Sequence, residues 1–216
     1  MDRIDDDFAG TLASRWKRTC PGGGTLDVSA SILRLALPSV PAGRYADAQL
    51  DDYSGLRLQQ FPWRPPLRLE VRARASHPVC PPLPGDAEAG SSQQTYLRGT
   101  AGFGFWNFPL TMAGGVPRLP DALWFFAASP PSNMALVPGV PGRGWKAQVV
   151  HAHRWGALLA GVPALGAVGW AALTGRERVA ARWVQRVTGT SERLLAAELT
   201  GWHDYTLEWR RADARF

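Results

Sequence analysis

Strongly aromatic, strand-like segments are the feature of this chain that most constrains its fold. Residues 100–107 and 122–128 are apolar at nearly every position and are joined by a loop rich in glycine and proline. Such runs are typical of strands that are buried on both faces, or that carry core residues on one face and aromatic side chains on the other. A third segment, 205–209, alternates large apolar residues with polar ones, which is the period of a half-buried strand. Together these segments predict antiparallel sheets packed in layers.

Further strands are predicted nearer the N-terminus. Residues 67–75 alternate apolar residues with charged ones, so one face is expected to lie on a core and the other in solvent. Residues 25–37 are expected to form strands around a turn near 29–31, and 45–58 hold another strand region. The stretch 77–94 is rich in proline, glycine and serine, which predicts a loop.

The composition fits a single β-sandwich domain that spans residues 1–216. Hydrophobic residues make up 45% of the chain and charged residues 19%, which excludes a disordered or fibrous protein. The net charge of +6 is carried almost wholly by arginine, since Lys17 and Lys146 are the only lysines. The arginines are scattered and form no recognisable nucleic-acid-binding motif. We therefore expect no nucleic-acid partner and a mildly basic surface, for which contact with anionic glycans or lipid headgroups stays open.

Residues that usually hold metals and cofactors are sparse in this chain. Cys20 and Cys80 are too far apart in sequence for a zinc motif, and two cysteines do not make a disulfide framework. His151 and His153 could share a strand face, but no third ligand is placed near them. Because no phosphate loop or dinucleotide fingerprint is present either, we expect no metal and no cofactor. The acidic segment 1–10 lacks the apolar core of a signal peptide, which predicts a cytoplasmic location by default.

An uncharged segment, 155–173, interrupts the strand pattern. It is long enough to be considered as a transmembrane helix, but it contains four glycines and a proline. Residues 176–193 follow with the pattern of an amphipathic helix. We predict a helical insertion at 150–195 within the domain, for which three arrangements remain open. It packs on the sandwich, or 155–173 docks on a membrane surface or a protein partner, or the segment spans a membrane.

Three motifs resemble glycoside hydrolase family 16 of the concanavalin A-like lectin and glucanase superfamily. Residues 102–107 (GFGFWN) are similar to the aromatic strand that lines the cleft of that family, and 120–126 (PDALWFF) fall where the family has its catalytic strand. Residues 202–209 (WHDYTLEW) resemble its Trp-His-x-Tyr-x-x-Glu-Trp strand, the most specific of the three. The resemblance implies an all-β fold, a concanavalin A-like antiparallel β-sandwich of the jelly-roll type. The family continues past this strand, whereas the sequence stops at Phe216, so a C-terminally truncated fragment or an unfilled sheet edge is expected.

The family's catalytic pattern, Glu-x-Asp-x-Glu, is absent at the corresponding positions. Those positions are Asp121, Leu123 and Phe125, so only the nucleophile position keeps an acid. A retaining glycosidase needs two carboxylates roughly 5–5.5 Å apart, and a phenyl ring cannot donate a proton to a leaving sugar. No catalytic residue is therefore predicted, although acids supplied by another strand would leave a glycoside hydrolase open.

A non-catalytic glycan-binding site is the function that this resemblance implies. Trp106 and Trp124 are the candidates for stacking on sugar rings, while Asn107 and Asp121 are candidates for hydrogen bonds to sugar hydroxyls. Two other interpretations stay open: the aromatic residues fill a dry core, and Asp121 serves the turn after Pro120. The alternative function is a structural or interaction protein whose apolar insertion docks on a membrane surface or a partner.

Overall fold

The computed structural model describes residues 3–41, 43–57, 60–80, 96–106, 121–151 and 189–216. These residues form antiparallel sheets with a single short 3₁₀ turn, Pro21–Gly23, so the all-β prediction is confirmed. The strands in chain order are β1 (Lys17–Thr19), β2 (Thr25–Ser29), β3 (Ile32–Ala36), β4 (Gln49–Asp51), β5 (Leu67–Ala73), β6 (Gly99–Trp106), β7 (Asp121–Ser129), β8 (Gly144–His151), β9 (Ser191–Leu194), β10 (His203–Trp209) and β11 (Ala214–Arg215).

The described residues divide into two compact units, 3–61 and 62–216. In the first unit, β1 pairs with β4 and β2 pairs with β3 as a hairpin. The hairpin turns at Ala30 and Ser31, which both have positive φ (49° and 58°), as a two-residue turn between twisted strands requires. The turn predicted near 29–31 is therefore confirmed. The single domain predicted for 1–216 stays a prediction.

The second unit contains two antiparallel sheets that share one hydrophobic core. One sheet has the order β6-β7-β8-β9 and the other β11-β10-β5. The core residues of the long strands β5, β6, β7, β8 and β10 are all odd-numbered, because successive side chains of a strand point to opposite faces. The buried members of this core are Leu123, Phe125, Ala127, Trp145, Leu199, Tyr205 and Leu207.

Strands β5 and β10 follow the alternation that the sequence predicts. They pair over their whole length, with Leu69 opposite Leu207 and Val71 opposite Tyr205. The arginines of β5 lie on the exposed face, while the apolar residues between them are partly buried. Period-2 patterning was therefore sufficient to assign both faces of these two strands.

The predicted helical insertion falls mostly outside the described residues. The range 150–195 begins in β8 and its last residues include β9, so both of its ends are strand. Residues 152–188, which include the apolar segment 155–173, are not described. Within the described ranges, no helix has the length and hydropathy needed to cross a membrane.

Candidate functional site

Strand β7 is buried on both faces but carries different residues on each. Leu123 and Phe125 point into the core, whereas Trp124 and Phe126 lie on the opposite side of the four-stranded sheet. We call this opposite side, formed by the even-numbered positions of β6 to β9, the Trp124 face. Leu123 and Phe125, at the positions that the resemblance matches to the family's catalytic strand, belong to the core.

An aromatic row runs along the Trp124 face. The ring centroids of Trp106 and Trp124 are 5.1 Å apart with an interplanar angle of 53°. Trp124 stacks on Phe126 at 4.8 Å and 24°. Phe126 is buried, but Trp106 and Trp124 are partly exposed. The row therefore offers aromatic surface at the Trp106 end and is packed at the Phe126 end.

Two glycines of β6 make room for this row. Gly102 pairs with Phe126 and Gly104 pairs with Trp124, so neither ring faces a side chain directly across the ladder. A Cβ atom at Gly104 would overlap the carbonyl oxygen of Leu123, and one at Gly102 would overlap the carbonyl oxygen of Phe125. In the Gly-Phe-Gly-Phe-Trp sequence, the phenylalanines therefore face the core. The glycines let β6 lie close to β7 on the opposite face.

The indole of Trp124 is tied to a buried hydrogen-bond chain, which we call the polar relay. Trp124 Nε1 donates to Gln148 Oε1 at 2.6 Å. Gln148 Nε2 donates in turn to Glu192 Oε2 at 2.9 Å, across the β8–β9 pair. Gln148 is completely buried, so both polar ends of its amide need partners and both have one.

A buried ion pair anchors the far end of the polar relay. Lys146 Nζ lies 3.2 Å from Glu192 Oε2, and both side chains have 0% exposure. Burial lowers the pKa of Lys146, while the charge of Glu192 and its hydrogen bond act in the opposite direction. Breaking such a pair leaves one buried charge uncompensated, which is far more costly than the pair itself is stabilising.

The loop 130–142 closes over this ion pair. Lys146 Nζ donates to the carbonyl oxygen of Met134 at 3.0 Å, and the Val137 N–H donates to Glu192 Oε1 at 3.0 Å. The loop is itself closed by a hydrogen bond from the Met134 N–H to the Gly142 carbonyl at 2.8 Å. Glu192 therefore accepts hydrogen bonds from Val137 of the loop and from Lys146 and Gln148 of β8 at the same time.

The structure brings together two of the four predicted site residues. Trp106 and Trp124 are neighbours in the aromatic row. Asp121 is the first residue of β7 and pairs with His151 in the ladder. Asn107 lies outside the described residues. Among the residues that are described, no three His, Cys, Asp or Glu side chains lie together as a metal site would require.

Sequence reasoning missed Lys146, Gln148 and Glu192. A signal was present, because Lys146 and Gln148 are polar residues at alternate positions of a strand that is otherwise apolar as far as Val150, and Lys146 is one of only two lysines. Alternate polar residues usually indicate a solvent face. Here they are buried, because loop 130–142 and Glu192 supply their partners.

Comparison with known proteins assigns no family to this chain. Scans against protein-family models and searches of curated proteins and solved structures found no match to the chain. The resemblance to glycoside hydrolase family 16 therefore stays a prediction that depends on three motifs.

Proposed function

We propose that this chain is a non-catalytic carbohydrate-binding protein with a concanavalin A-like jelly-roll sandwich, and that it holds a glycan against Trp106 and Trp124. The observation that carries the proposal is the partly exposed tryptophan pair on the face opposite the core. The core already contains Phe103, Phe105 and Phe125, so the two tryptophans are not needed to fill it.

The chemistry of a tryptophan pair suits a sugar ring. A pyranose has a face of C–H groups, which packs on the electron-rich face of an indole. Because the N–H of Trp124 is already bonded to Gln148, this indole has no donor left for a ligand and contributes aromatic surface alone. The contribution of Trp124 to binding would therefore depend on shape and stacking.

Binding without hydrolysis is favoured by the residues at the family's catalytic positions. Leu123 and Phe125 carry no carboxylate and are buried in the core. Glu192 is the carboxylate on the Trp124 face, and it is enclosed by Lys146, Gln148 and loop 130–142. An acid held in this way is not accessible to a leaving group.

The test is affinity electrophoresis and a glycan array with the full chain, Trp106→Ala and Trp124→Ala. We expect binding of a neutral glycan by the wild type and a loss of about tenfold or more in each variant. Trp202→Ala is the matched control, because Trp202 is an exposed tryptophan just before β10, where the guanidinium of Arg74 lies 5.0 Å from its ring. A folded wild type that binds no glycan, or an equal loss in Trp202→Ala, would refute the proposal. Glycan cleavage abolished by Asp121→Ala would instead support a hydrolase with displaced acids.

A second candidate function is an interaction role, which the β2–β3 hairpin favours. Ile32, Leu35 and Leu37 are 38%, 45% and 48% exposed. Exposed apolar groups often mark contact surfaces, and here they occur on both faces of the hairpin, since Ile32 and Leu35 have opposite parity on β3. Analytical ultracentrifugation of the wild type and Leu35→Gln would show whether the hairpin mediates self-association. Vesicle co-sedimentation that depends on 155–173 would support the membrane-docking alternative.

A further inference from the structure

The geometry points to Gln148 and Glu192 as positioning residues that fix the Trp124 indole and make the Trp124 face selective for neutral glycans over anionic ones. This inference rests on the proposed glycan-binding function and adds to it the residues that set ring orientation and the charge class of the ligand.

The orientation of the Gln148 amide follows from its partner. A glutamine amide has one end that donates and one that accepts, while an ionised carboxylate only accepts. Glu192 therefore holds the NH₂ end of Gln148, at 2.9 Å, and leaves the oxygen end toward Trp124. If the Gln148 amide were flipped, its NH₂ group would face the indole N–H of Trp124 and its oxygen would face the Glu192 carboxylate. Neither hydrogen bond could then form.

The charge of Glu192 is held in place by three other groups. Lys146 Nζ, Gln148 Nε2 and the Val137 N–H all donate to it. Because the Glu192 side chain has 0% exposure, solvent does not compete with these bonds. Lys146 therefore holds Glu192 in place, Glu192 orients the amide of Gln148, and Gln148 orients the indole of Trp124.

The described part of the Trp124 face presents no exposed charge. At the even-numbered positions of β6 to β9 the charged side chains are Lys146 and Glu192, which neutralise each other and are fully buried. The loop 130–142 contains no charged residue. A carboxylate or sulfate on a ligand would lose its hydration at this face without gaining an ion pair. Neutral sugars carry no such penalty.

The experiment combines a spectroscopic probe with two binding probes. Gln148→Met keeps the length of the side chain but removes both relay hydrogen bonds. We expect the indole N–H resonance of Trp124 to shift and its hydrogen exchange to accelerate about tenfold or more. We expect affinity for a neutral β-glucan oligosaccharide to fall about tenfold. Wild-type affinity for a uronic acid oligosaccharide should be at least about tenfold weaker than for the neutral probe.

Two variants separate positioning from general destabilisation. Val149→Ala removes a neighbouring core side chain and should lower stability while leaving the Trp124 resonance and the glycan affinity unchanged. The double variant Lys146→Met/Glu192→Gln removes both charges but keeps a carbonyl that can accept from Gln148. It should retain the wild-type resonance, whereas Lys146→Met/Glu192→Leu lacks that acceptor and should shift the resonance as Gln148→Met does, which tests the relay if Gln148→Met does not fold.

The outcomes distinguish this inference from the proposed function. A wild type that binds neither oligosaccharide overturns the proposed function, whatever the Trp124 resonance does. A wild type that binds, with Gln148→Met unchanged in resonance and affinity, overturns the positioning role alone. Equal effects in Val149→Ala, or stronger binding of the uronic acid probe, overturn it as well.

Discussion

The two faces of strands β7 and β8 are both buried, yet they are held together by different forces. The core face has Leu123, Phe125 and Trp145, which pack against the second sheet. The Trp124 face has an ion pair and a relay of hydrogen bonds beside an aromatic row. One pair of strands therefore shows burial by apolar contact on one side and burial by satisfied polar groups on the other.

This difference teaches how each face should respond to substitution. Apolar burial contributes in proportion to area, at roughly 25 cal/mol per Å², so a side chain of similar volume can replace another. A buried charge depends on a specific partner, and removal of that partner leaves a desolvated ion. The core face should tolerate changes of side-chain shape. The Trp124 face should tolerate the loss of one charge of the Lys146–Glu192 pair only when the other charge is removed too.

The largest effect is expected for Glu192→Leu. It leaves Lys146 buried without its counter-ion and should lower the free energy of unfolding by about 3–5 kcal/mol. Urea denaturation followed by circular dichroism measures this change. The double variant Lys146→Met/Glu192→Gln, which removes both charges but keeps an acceptor for the buried Gln148 amide, should recover most of the loss. If the double variant is no more stable than the single one, the ion pair does not distinguish this face from the core.

A comparable test on the core face uses Leu123, which is buried against the second sheet. Leu123→Ala removes apolar area and leaves a cavity, which should cost about 3 kcal/mol in the same denaturation experiment. Leu123→Met keeps the volume and should cost less than about 1.5 kcal/mol. A large loss for the methionine variant would show that this face is as specific as the Trp124 face.

Gly104→Ala tests the close approach that makes room for the aromatic row. Its Cβ atom would overlap the carbonyl oxygen of Leu123, so the β6–β7 pair must open, at a cost of about 1–3 kcal/mol. The tryptophan emission spectrum should also shift, because Trp124 faces this glycine. Gly10→Ala is the control, since nothing lies within 4 Å of a Cβ placed there. Equal unfolding curves for the two variants would contradict the packing argument.

The smallest effect is expected outside both faces, at Glu198. This exposed carboxylate accepts hydrogen bonds from the Thr200 hydroxyl, the Thr200 N–H and the Gly201 N–H, which lower its pKa. A depressed pKa stabilises the folded state above the ordinary value of 4.5, and the contribution disappears as the pH falls through the folded-state pKa. Thr200→Val should flatten the acid limb of the stability curve between about pH 5 and 3. An unchanged acid limb would show that these bonds do not persist in solution.

Sequence patterning predicted strands well where one parity is apolar and the other charged. Both faces of β5 and β10 were assigned correctly for this reason. It failed to assign faces on β7, since Leu123, Trp124, Phe125 and Phe126 are all apolar and every register looks buried. The candidate tryptophans were identified by residue type, but their contact across the β6–β7 ladder depends on register, which a run of uniform hydrophobicity does not specify.

The sequence by itself determined the all-β class, the hairpin turn at Ala30 and Ser31, and the inward and outward faces of β5 and β10, because those features depend on local periodicity and turn geometry. Only the tertiary structure decided which side of β7 meets the core, and that Lys146 and Gln148 are buried. The physical reason is that the polar groups of Lys146 and Gln148 are satisfied by Glu192, which is more than forty residues away in sequence, and for Lys146 also by loop 130–142. No local pattern contains the partner that makes their burial possible.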